Sequence, residues 1–196
     1  MPRVLLVRHG QSTWNADGRW QGQADPPLSE LGRLQARHAA RTLGAVDAIV
    51  ASHLERARDT AAILAEELGV GPVAIDPDLC ERDAGEWSGL TRPEIDARWP
   101  GWVAAGRRPP SFEADDHLLA RTLAALGRIE ADHRDTDVLV VTHGGVIYTL
   151  EDHCGAAHRR IANLEGRWVT LHRGEVTLGE RVVLVDPDEL TVPSAI

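Results

Sequence analysis

The chain has 196 residues, of which 43% are hydrophobic and 26% are charged, and this composition predicts one globular domain over residues 1–196. Its formal net charge of −9 argues against a general nucleic-acid binder or a protein that binds acidic membranes. No apolar run approaches the roughly 20 residues of a membrane span, and none forms a signal-peptide core, so we expect a cytoplasmic protein. Cys80 and Cys154 lack the spacing of a disulfide framework or a zinc site.

The first predicted strand is a short apolar run at residues 4–7, which leads directly into Arg8 and His9. A continuous apolar run of this length is typical of a strand that is covered on both faces. After a polar, glycine-rich loop, Ser29 is placed to cap a helix. The expected apolar side of that helix consists of Leu31, Leu34, Ala39 and Leu43.

A second buried strand is predicted at residues 47–52, and it leads into a second helix that ends at Gly69. The apolar stripe of that helix consists of Leu54, Ala57, Ala61, Leu64, Ala65 and Leu68. A short strand near residues 73–75 follows. A loop rich in tryptophan, glycine and charge then extends to about Pro110.

The second half of the chain begins with a long helix, for which Asp115 or Asp116 is the expected cap. The apolar positions of that helix are Leu119, Leu123, Leu126 and Ile129. A strong strand at residues 138–142 leads into another helix, with its apolar positions at Val146, Ile147 and Leu150. The alternating tail at residues 167–186 is expected to turn at Gly174 and Gly179 and to complete the sheet. This order of strands and helices predicts a three-layer α/β/α fold with a mainly parallel central sheet.

Two of the predicted strands end in a His-Gly pair, at His9 and at His143. In open parallel sheets, the loops at the carboxyl ends of the strands converge on a ligand crevice, so we expect both histidines in one site. Arg56 lies in the first turn of a helix, where free amides and a guanidinium can bind phosphate together. Arg8 adds a second guanidinium and Asn15 a neutral donor. These residues predict a site for a phosphate group.

Each of these residues also has a purely structural interpretation when it is considered alone. A single histidine at a strand end is more often structural than functional, and most helix arginines are exposed. The second His-Gly strand, and the place of Arg56 soon after Ser52, favour the functional interpretation. Among His153, Cys154 and His158 the spacing matches no standard metal site, so we expect no metal.

Five successive stretches of the sequence resemble the signatures of the histidine phosphatase superfamily, the phosphoglycerate mutase-like proteins. In chain order they read RHGQSTWN, RWQGQADPPLSELGRLQA, ASHLERARDTA, LCERDAGEWSGL and VVTHGGVI. The resemblance extends from Val4 to about Ile147 and continues more weakly to Asn163. A single RHG would be weak support, whereas five signatures in order are specific. The resemblance implies the phosphoglycerate mutase-like fold.

The resemblance also implies a role for each matching residue. His9 matches the nucleophile that becomes phosphohistidine, and Glu81 matches the proton donor. The expected phosphate-binding residues are Arg8, Arg56, His143 and Asn15. A neutral imidazole can attack phosphorus, while arginines and a protonated histidine stabilise the developing charge. Further substrate contacts are expected at Gln21, Gly22, Arg82 and Gly144, and no cofactor is expected.

The expected reaction is metal-independent hydrolysis of a small phosphomonoester, and two alternatives remain open. A cofactor-dependent phosphoglycerate mutase would run the same first half-reaction and return the phosphate to an acceptor. A non-catalytic phosphate-binding regulatory protein would need neither a nucleophile nor Glu81. Ser111 and Phe112 replace two glycines of many family members, next to Glu113. The anion contacts available to a mutase are Arg107, Arg108, Arg159 and Arg160, and the sequence leaves a homodimer open.

Overall fold

The structure, a computed structural model, describes residues 1–185 and contains one six-stranded sheet. The strands are β1 (Arg3–Arg8), β2 (Ala48–Ala51), β3 (Ala74–Ile75), β4 (Asp137–Thr142), β5 (Glu165–His172) and β6 (Glu175–Val183). The helices are α1 (Thr13–Ala16), α2 (Glu30–Thr42), α3 (Glu55–Leu68), α4 (Arg92–Arg98), α5 (Asp115–Asp132) and α6 (Gly144–His153). Asp186, the last residue of the predicted tail, lies outside the described residues, so the single domain over residues 1–196 stays a prediction.

The six strands lie in the order β3-β2-β4-β1-β5-β6. β1 and β2 both pair with β4 in parallel, and β3 pairs with β2 in parallel. β5 runs antiparallel to β1, and β6 runs antiparallel to β5. Four parallel strands and an antiparallel edge confirm the predicted α/β class with a mainly parallel sheet.

The side chains of β1 divide the core into two layers, one on each face of the sheet. Leu5 and Val7 pack into a cluster with small residues of α2 and α3. Val4 and Leu6 point to the opposite face and pack with apolar residues of α5 and α6. All four side chains are buried, which confirms that the apolar run at residues 4–7 is covered on both faces.

Helix α2 begins as predicted but buries a different face. The Ser29 hydroxyl accepts a hydrogen bond from the backbone N–H of Gly32 at 3.0 Å, as a cap should. The buried positions of α2 are Gly32, Ala36, Ala39 and Ala40. The prediction that Leu31 and Leu34 form the buried side is therefore wrong. A Cβ at Gly32 would lie 2.0 Å from the carbonyl oxygen of Gln11, so the chain approaches α2 too closely for a larger side chain on that face.

Two boundaries in the second half also differ from the prediction. The cap of α5 is Ala114, without a side-chain hydrogen bond, so neither Asp115 nor Asp116 has that role. β6 runs through Gly179, where no turn occurs. A Cβ at Gly179 would lie 3.0 Å from Cβ of Trp168, which explains a glycine there by close packing across the two strands.

The segment predicted as a loop up to Pro110 contains helix α4 and two short 3-10 turns, Pro77–Leu79 and Gly85–Trp87. Thr91 and Glu94 form a reciprocal capping box at the start of α4. Trp87 is 1% exposed and packs edge-on against Trp20, with their ring centroids 5.2 Å apart. These two tryptophans therefore pack their loops against each other.

Candidate active site

Strand register brings the two histidines together. Arg8 at the end of β1 is paired with Thr142 at the end of β4, so the next residue of each strand is a histidine. The backbone N–H of His9 donates to the carbonyl oxygen of Thr142 at 3.0 Å, which continues the ladder. The rings of His9 and His143 have centroids 5.1 Å apart. Both side chains are buried, although they are separated by more than half of the chain.

The hydrogen bonds of the His9 ring determine which nitrogen holds its lone pair. Nδ1 lies 2.6 Å from the carbonyl oxygen of Gly10, so Nδ1 carries the hydrogen and donates it. Nε2 accepts a hydrogen bond from Nε of Arg56 at 3.2 Å. Burial, with the charges of Arg56 and Arg8, lowers the pKa of His9 well below its ordinary value. His9 is therefore a neutral imidazole with its lone pair on Nε2.

Arg56 is a fully buried cation that backbone carbonyls hold in place. It lies in the first turn of α3, and its two terminal nitrogens donate to Ala24 and Gly22 at 2.8 and 2.9 Å. The carboxylate of Asp25 lies 4.0 Å away. Burial lowers the pKa of Arg56 to about 10, so the side chain stays charged near neutral pH. Gly22 thus contributes its carbonyl oxygen to the arginine.

The segment that follows α6 contacts Arg8, His9 and Asn15. Nη1 of Arg8 donates to the carbonyl oxygen of Ile161 at 2.8 Å. The side-chain amide of Asn163 donates to the carbonyl oxygen of His9 at 2.8 Å and lies 3.3 Å from Oδ1 of Asn15. Residues 161–163 therefore fix both the backbone and the first guanidinium of the RHG stretch.

His143 differs from the sequence-based expectation in its charge. Burial, with the charges of Arg56 and Arg8 and the nearby ring of His9, lowers its pKa well below the ordinary value, so the unliganded ring is neutral. Nε2 of His143 lies 2.9 Å from Oγ of Ser52, and that oxygen already accepts a hydrogen bond from the backbone N–H of Leu54. When the hydroxyl of Ser52 donates to Nε2, the ring hydrogen lies on Nδ1.

Nδ1 of His143 is buried and has no hydrogen-bond partner among residues 1–185. An unpaired buried donor is costly, and a phosphate oxygen is an acceptor that would satisfy it. A bound dianion would also raise the pKa of this imidazole and favour the charged ring. The arrangement therefore fits a histidine that is neutral before substrate binds.

Glu81 lies in the loop after the first 3-10 turn and contacts the start of α6. Its Oε1 accepts hydrogen bonds from the backbone N–H groups of Gly145 at 3.0 Å and Arg82 at 2.7 Å. A Cβ at Gly145 would lie 2.1 Å from that same oxygen, so only glycine permits the contact. Glu81 is thus held beside the helix that begins directly after His143.

A buried ion pair holds the loop that carries Glu81. Arg121 of α5 donates to the carbonyl oxygens of Asp78, Cys80 and Glu81 at 2.7, 2.6 and 3.0 Å. Its guanidinium also binds both carboxylate oxygens of Glu113, each at 2.8 Å. The two side chains are 10% and 6% exposed. We call Arg121 and Glu113 the loop brace.

The sequence analysis assigned no role to several other residues of the site. The backbone N–H of Gly10 donates to Oγ1 of Thr60 at 3.1 Å, and a Cβ at Gly10 would lie 2.7 Å from the carbonyl oxygen of Gly32. Asn163 lies outside the strong part of the family resemblance. For Gly145 a signal existed, since a second glycine at a helix start requires a packing reason.

Three predicted substrate contacts lie near the start of α1 or at the start of α6. Oδ1 of Asn15 accepts from the backbone N–H of Ser12 at 3.2 Å in the capping box of α1, so its amide nitrogen is the donor end. Oε1 of Gln21 accepts from Oγ of Ser12 at 2.7 Å. Gly144 is the first residue of α6, directly after His143.

Arg82 is engaged by protein groups. It donates to the carbonyl oxygen of Glu113 at 3.0 Å and to Oγ1 of Thr149 at 3.1 Å, and it forms an ion pair with Asp115. A role for Arg82 in substrate binding stays a prediction. These contacts instead join its loop to α5 and α6.

Within residues 1–185, no group of three or more His, Cys, Asp or Glu side chains is placed to hold a metal ion. His153, Cys154 and His158 do not converge into such a group. In the same part of the chain, no helix is both long and apolar enough to cross a membrane. The positive charge at the histidine pair comes from Arg8 and Arg56.

Comparison with known proteins gives one consistent result. The model of the histidine phosphatase superfamily (branch 1) matches residues 4–178. A glucosyl-3-phosphoglycerate phosphatase of Mycobacterium tuberculosis is 40% identical over 163 residues, which cover 76% of this chain and 73% of that protein. A metal-independent phosphoserine phosphatase of Arabidopsis thaliana is 39% identical over 157 residues, which cover 75% of this chain and 66% of that protein.

Solved structures agree with these sequence matches. A mycobacterial glucosyl-3-phosphoglycerate phosphatase in complex with VO3 superposes with a TM-score of 0.81 at 33% identity, over 90% of this chain and 96% of that one. A structure of the mycobacterial enzyme with inorganic phosphate gives a TM-score of 0.78 at 32% identity, over 91% and 95% of the two chains.

Proposed function

This chain belongs to the histidine phosphatase superfamily, branch 1, and we propose that it hydrolyses small phosphomonoesters without a metal ion, through a phosphohistidine formed on His9. Its class is that of a phosphatase, a phosphoric monoester hydrolase. The observation that carries the proposal is the His9 ring, which is neutral and buried and donates through Nδ1 to Gly10. That hydrogen bond keeps the lone pair on Nε2, which lies 3.2 Å from Nε of Arg56.

The first half-reaction transfers the phosphoryl group to the protein. Nε2 of His9 attacks phosphorus, and the bond from phosphorus to the ester oxygen breaks with its electron pair on that oxygen. Glu81 donates a proton to the leaving oxygen, and the alcohol departs. Oε1 of Glu81 accepts the two shorter backbone hydrogen bonds, whereas Oε2 has only a longer one, of 3.3 Å from Gly145, so we assign this proton to Oε2.

The second half-reaction releases phosphate. The carboxylate of Glu81 takes a proton from water, the water oxygen attacks phosphorus, and the bond from phosphorus to Nε2 breaks with its electron pair returning to His9. Both transition states place negative charge on the equatorial oxygens. We expect Arg8, Arg56 and His143 to bind those oxygens. The Nε–H of Arg56 then passes from Nε2 of His9 to a phosphate oxygen, while the two backbone carbonyls keep the guanidinium in place.

The substrate is a small phosphorylated metabolite. Support comes from relatives whose names state activity on glucosyl-3-phosphoglycerate and on phosphoserine. Asn15 and Gly144 lie beside the histidines and are retained in the proposal as substrate contacts. Gln21 contributes indirectly, through its hydrogen bond with Ser12 at the start of α1.

A rate comparison tests hydrolysis against the mutase alternative. Phosphate release from a panel of phosphomonoesters, and interconversion of 3- and 2-phosphoglycerate, are measured on the same preparation with and without EDTA. We expect phosphate release to exceed isomerisation and to be unaffected by EDTA. Isomerisation faster than release would favour the mutase. Loss of activity in EDTA would contradict the metal-independent mechanism, and binding of phosphate without turnover would favour the regulatory alternative.

A further inference from the structure

Two of the four arginines that could bind a second anion are engaged by protein groups. The Arg107 guanidinium lies over the ring of Trp102, 4.5 Å from its centroid. The Arg108 guanidinium donates to the carboxylate of Asp115 at 2.9 Å and lies 4.8 Å from the centroid of Phe112. Both side chains therefore stabilise the segment between α4 and the start of α5.

The other two arginines are neighbours in the chain with different environments. Arg159 forms an ion pair with the buried carboxylate of Glu165. Arg160 is exposed, and within residues 1–185 its guanidinium has no hydrogen-bond, ion-pair or ring partner. Arg181 donates to the carbonyl oxygens of both, at 2.7 Å to Arg159 and 3.2 Å to Arg160. The backbone at Arg160 is therefore held in place while its side chain is available.

This available arginine lies at the edge of the phosphate site. The residue after it, Ile161, is buried, and its carbonyl oxygen accepts the hydrogen bond from Arg8 at 2.8 Å. The backbone N–H of Ile161 donates to the hydroxyl of Tyr148 at 2.8 Å. Burial lowers the pKa of Arg8, and the charge of Arg160 adds to that effect against the opposing charge of Glu81. The positive charge of Arg160 is therefore on the same side of the molecule as Arg8, next to the residue that binds it.

We propose that Arg160 binds a carboxylate on the leaving group of the substrate, so that phosphomonoesters carrying a carboxylate are the preferred class. The proposal rests on the proposed function, because the phosphate of the ester must occupy Arg8, Arg56 and His143. The organic part of the ester would then face Arg160. One guanidinium matches one carboxylate through two parallel hydrogen bonds, whereas the dianion of a second phosphate would remain undercompensated by a single arginine.

Matched substrate pairs test this assignment. L-phosphoserine and O-phosphoethanolamine differ only in the carboxylate, and 3-phosphoglycerate and glycerol 3-phosphate differ in a carboxylate against a hydroxymethyl group. A hydrogen-bonded charge pair changes binding by about tenfold to hundredfold, so we expect kcat/KM of the wild type to favour the carboxylated member by at least about tenfold. In Arg160→Gln the ratio should fall to within about twofold of unity through KM, and Arg160→Lys should restore part of it. Arg134→Gln, an exposed arginine between α5 and β4, is the control and should leave the ratio unchanged.

The outcomes separate this proposal from the function on which it rests. Equal kcat/KM for both members in the wild type, or an equal loss for both in Arg160→Gln, would overturn the role of Arg160 while leaving the phosphatase intact. A stronger preference for a bisphosphorylated ester than for the carboxylated one would also overturn it. Failure to hydrolyse any ester would overturn the proposed function itself.

Discussion

The two halves of the candidate active site are built in different ways. On the nucleophile side, His9 and His143 directly follow paired strands, and the backbone ladder between β1 and β4 sets their separation. On the acid side, Glu81 lies on an irregular loop, where the Arg121 side chain and the Gly145 backbone hold it.

This difference has a physical consequence for the effects of mutation. A ladder of backbone hydrogen bonds is shared among many residues, so substitution of one side chain leaves the positions of the histidines unchanged. A loop that depends on one guanidinium and one glycine can be displaced by a single substitution. We therefore expect the acid side to be sensitive at distant positions, and the nucleophile side to be sensitive mainly at the histidines and arginines themselves.

The largest expected effect is that of His9→Ala on turnover. No other side chain at the site has a neutral nitrogen lone pair held toward the phosphate, so phosphate release should fall by at least about 10⁴-fold. A labelling experiment complements the rate: after reaction with a labelled ester and quenching in alkaline detergent, the wild type should carry base-stable, acid-labile phosphate and the variant none. Substantial turnover by a folded His9→Ala would contradict the nucleophile assignment.

Replacement of Glu81 should separate substrates by their leaving groups. An alkoxide needs a proton as it leaves, whereas a nitrophenolate does not, so Glu81→Gln should slow alkyl phosphates by about 10²- to 10⁴-fold and aryl phosphates far less. Steady-state kinetics on one ester of each kind measures the contrast. Equal losses on both would assign the proton to another group.

Gly145→Ala adds one methyl group to helix α6. It should slow alkyl phosphates more than aryl phosphates, as Glu81→Gln does, but to a smaller extent. In Gly145→Ala the new Cβ would lie 2.1 Å from Oε1 of Glu81 and must displace it, so alkyl phosphates should be slowed by about 10- to 100-fold relative to aryl phosphates. The neighbouring Gly144→Ala is the comparison, because its Cβ meets only ordinary contacts at 3.5 Å or more. Its ratio of alkyl to aryl rates should match the wild type. If the two variants have the same ratio, the contact of Gly145 does not control Glu81.

The loop brace should act through Glu81 at a greater distance. Arg121→Lys keeps the charge and loses the planar fork that reaches three carbonyl oxygens, so we expect about a tenfold loss on alkyl phosphates with little change on aryl phosphates. Arg128→Lys is the matched control, since Arg128 also belongs to α5 and pairs with Asp76 and Asp78 upstream of Glu81. A loss on both substrate types would indicate general destabilisation instead of displacement of Glu81.

The smallest expected effect concerns stability on the nucleophile side. The pKa values of His9 and His143 are depressed by burial, while unfolded histidine titrates near about 6.5. Below that pH the unfolded chain binds protons that the folded chain does not. The free energy of unfolding is therefore highest above about pH 6.5. It decreases as the pH falls toward the pKa values of the folded protein, by up to about 1.4 kcal/mol per pH unit for each histidine.

Urea unfolding at a series of pH values measures this slope. His143→Asn should reduce the slope between about pH 6.5 and about pH 5.5, and the exposed His172→Asn should leave it unchanged. An unchanged slope in His143→Asn would contradict a neutral His143 in the folded protein.

The sequence alone was sufficient for the fold class and for the proximity of His9 and His143. Apolar runs at residues 4–7 and 138–142 predict buried strands because their composition is local, and parallel strands present their carboxyl ends at one edge. The position of His9 and His143 next to each other follows from that rule. The five motifs added Glu81, for which the residues alone favoured no role.

The tertiary structure was needed for the orientation and charge of these groups. The contact of Gly145 with Glu81 joins residues 64 positions apart, and the contact of Arg8 with Ile161 joins residues 153 positions apart. Only packing brings such pairs together, so no periodicity in the sequence contains them. The neutral state of His143 is another case, because its pKa depends on burial and on four charged or ionisable neighbours from three separate segments. Local pattern determines where a strand ends, whereas hydrogen bonds and charges across the folded chain determine what the residue at its end can do.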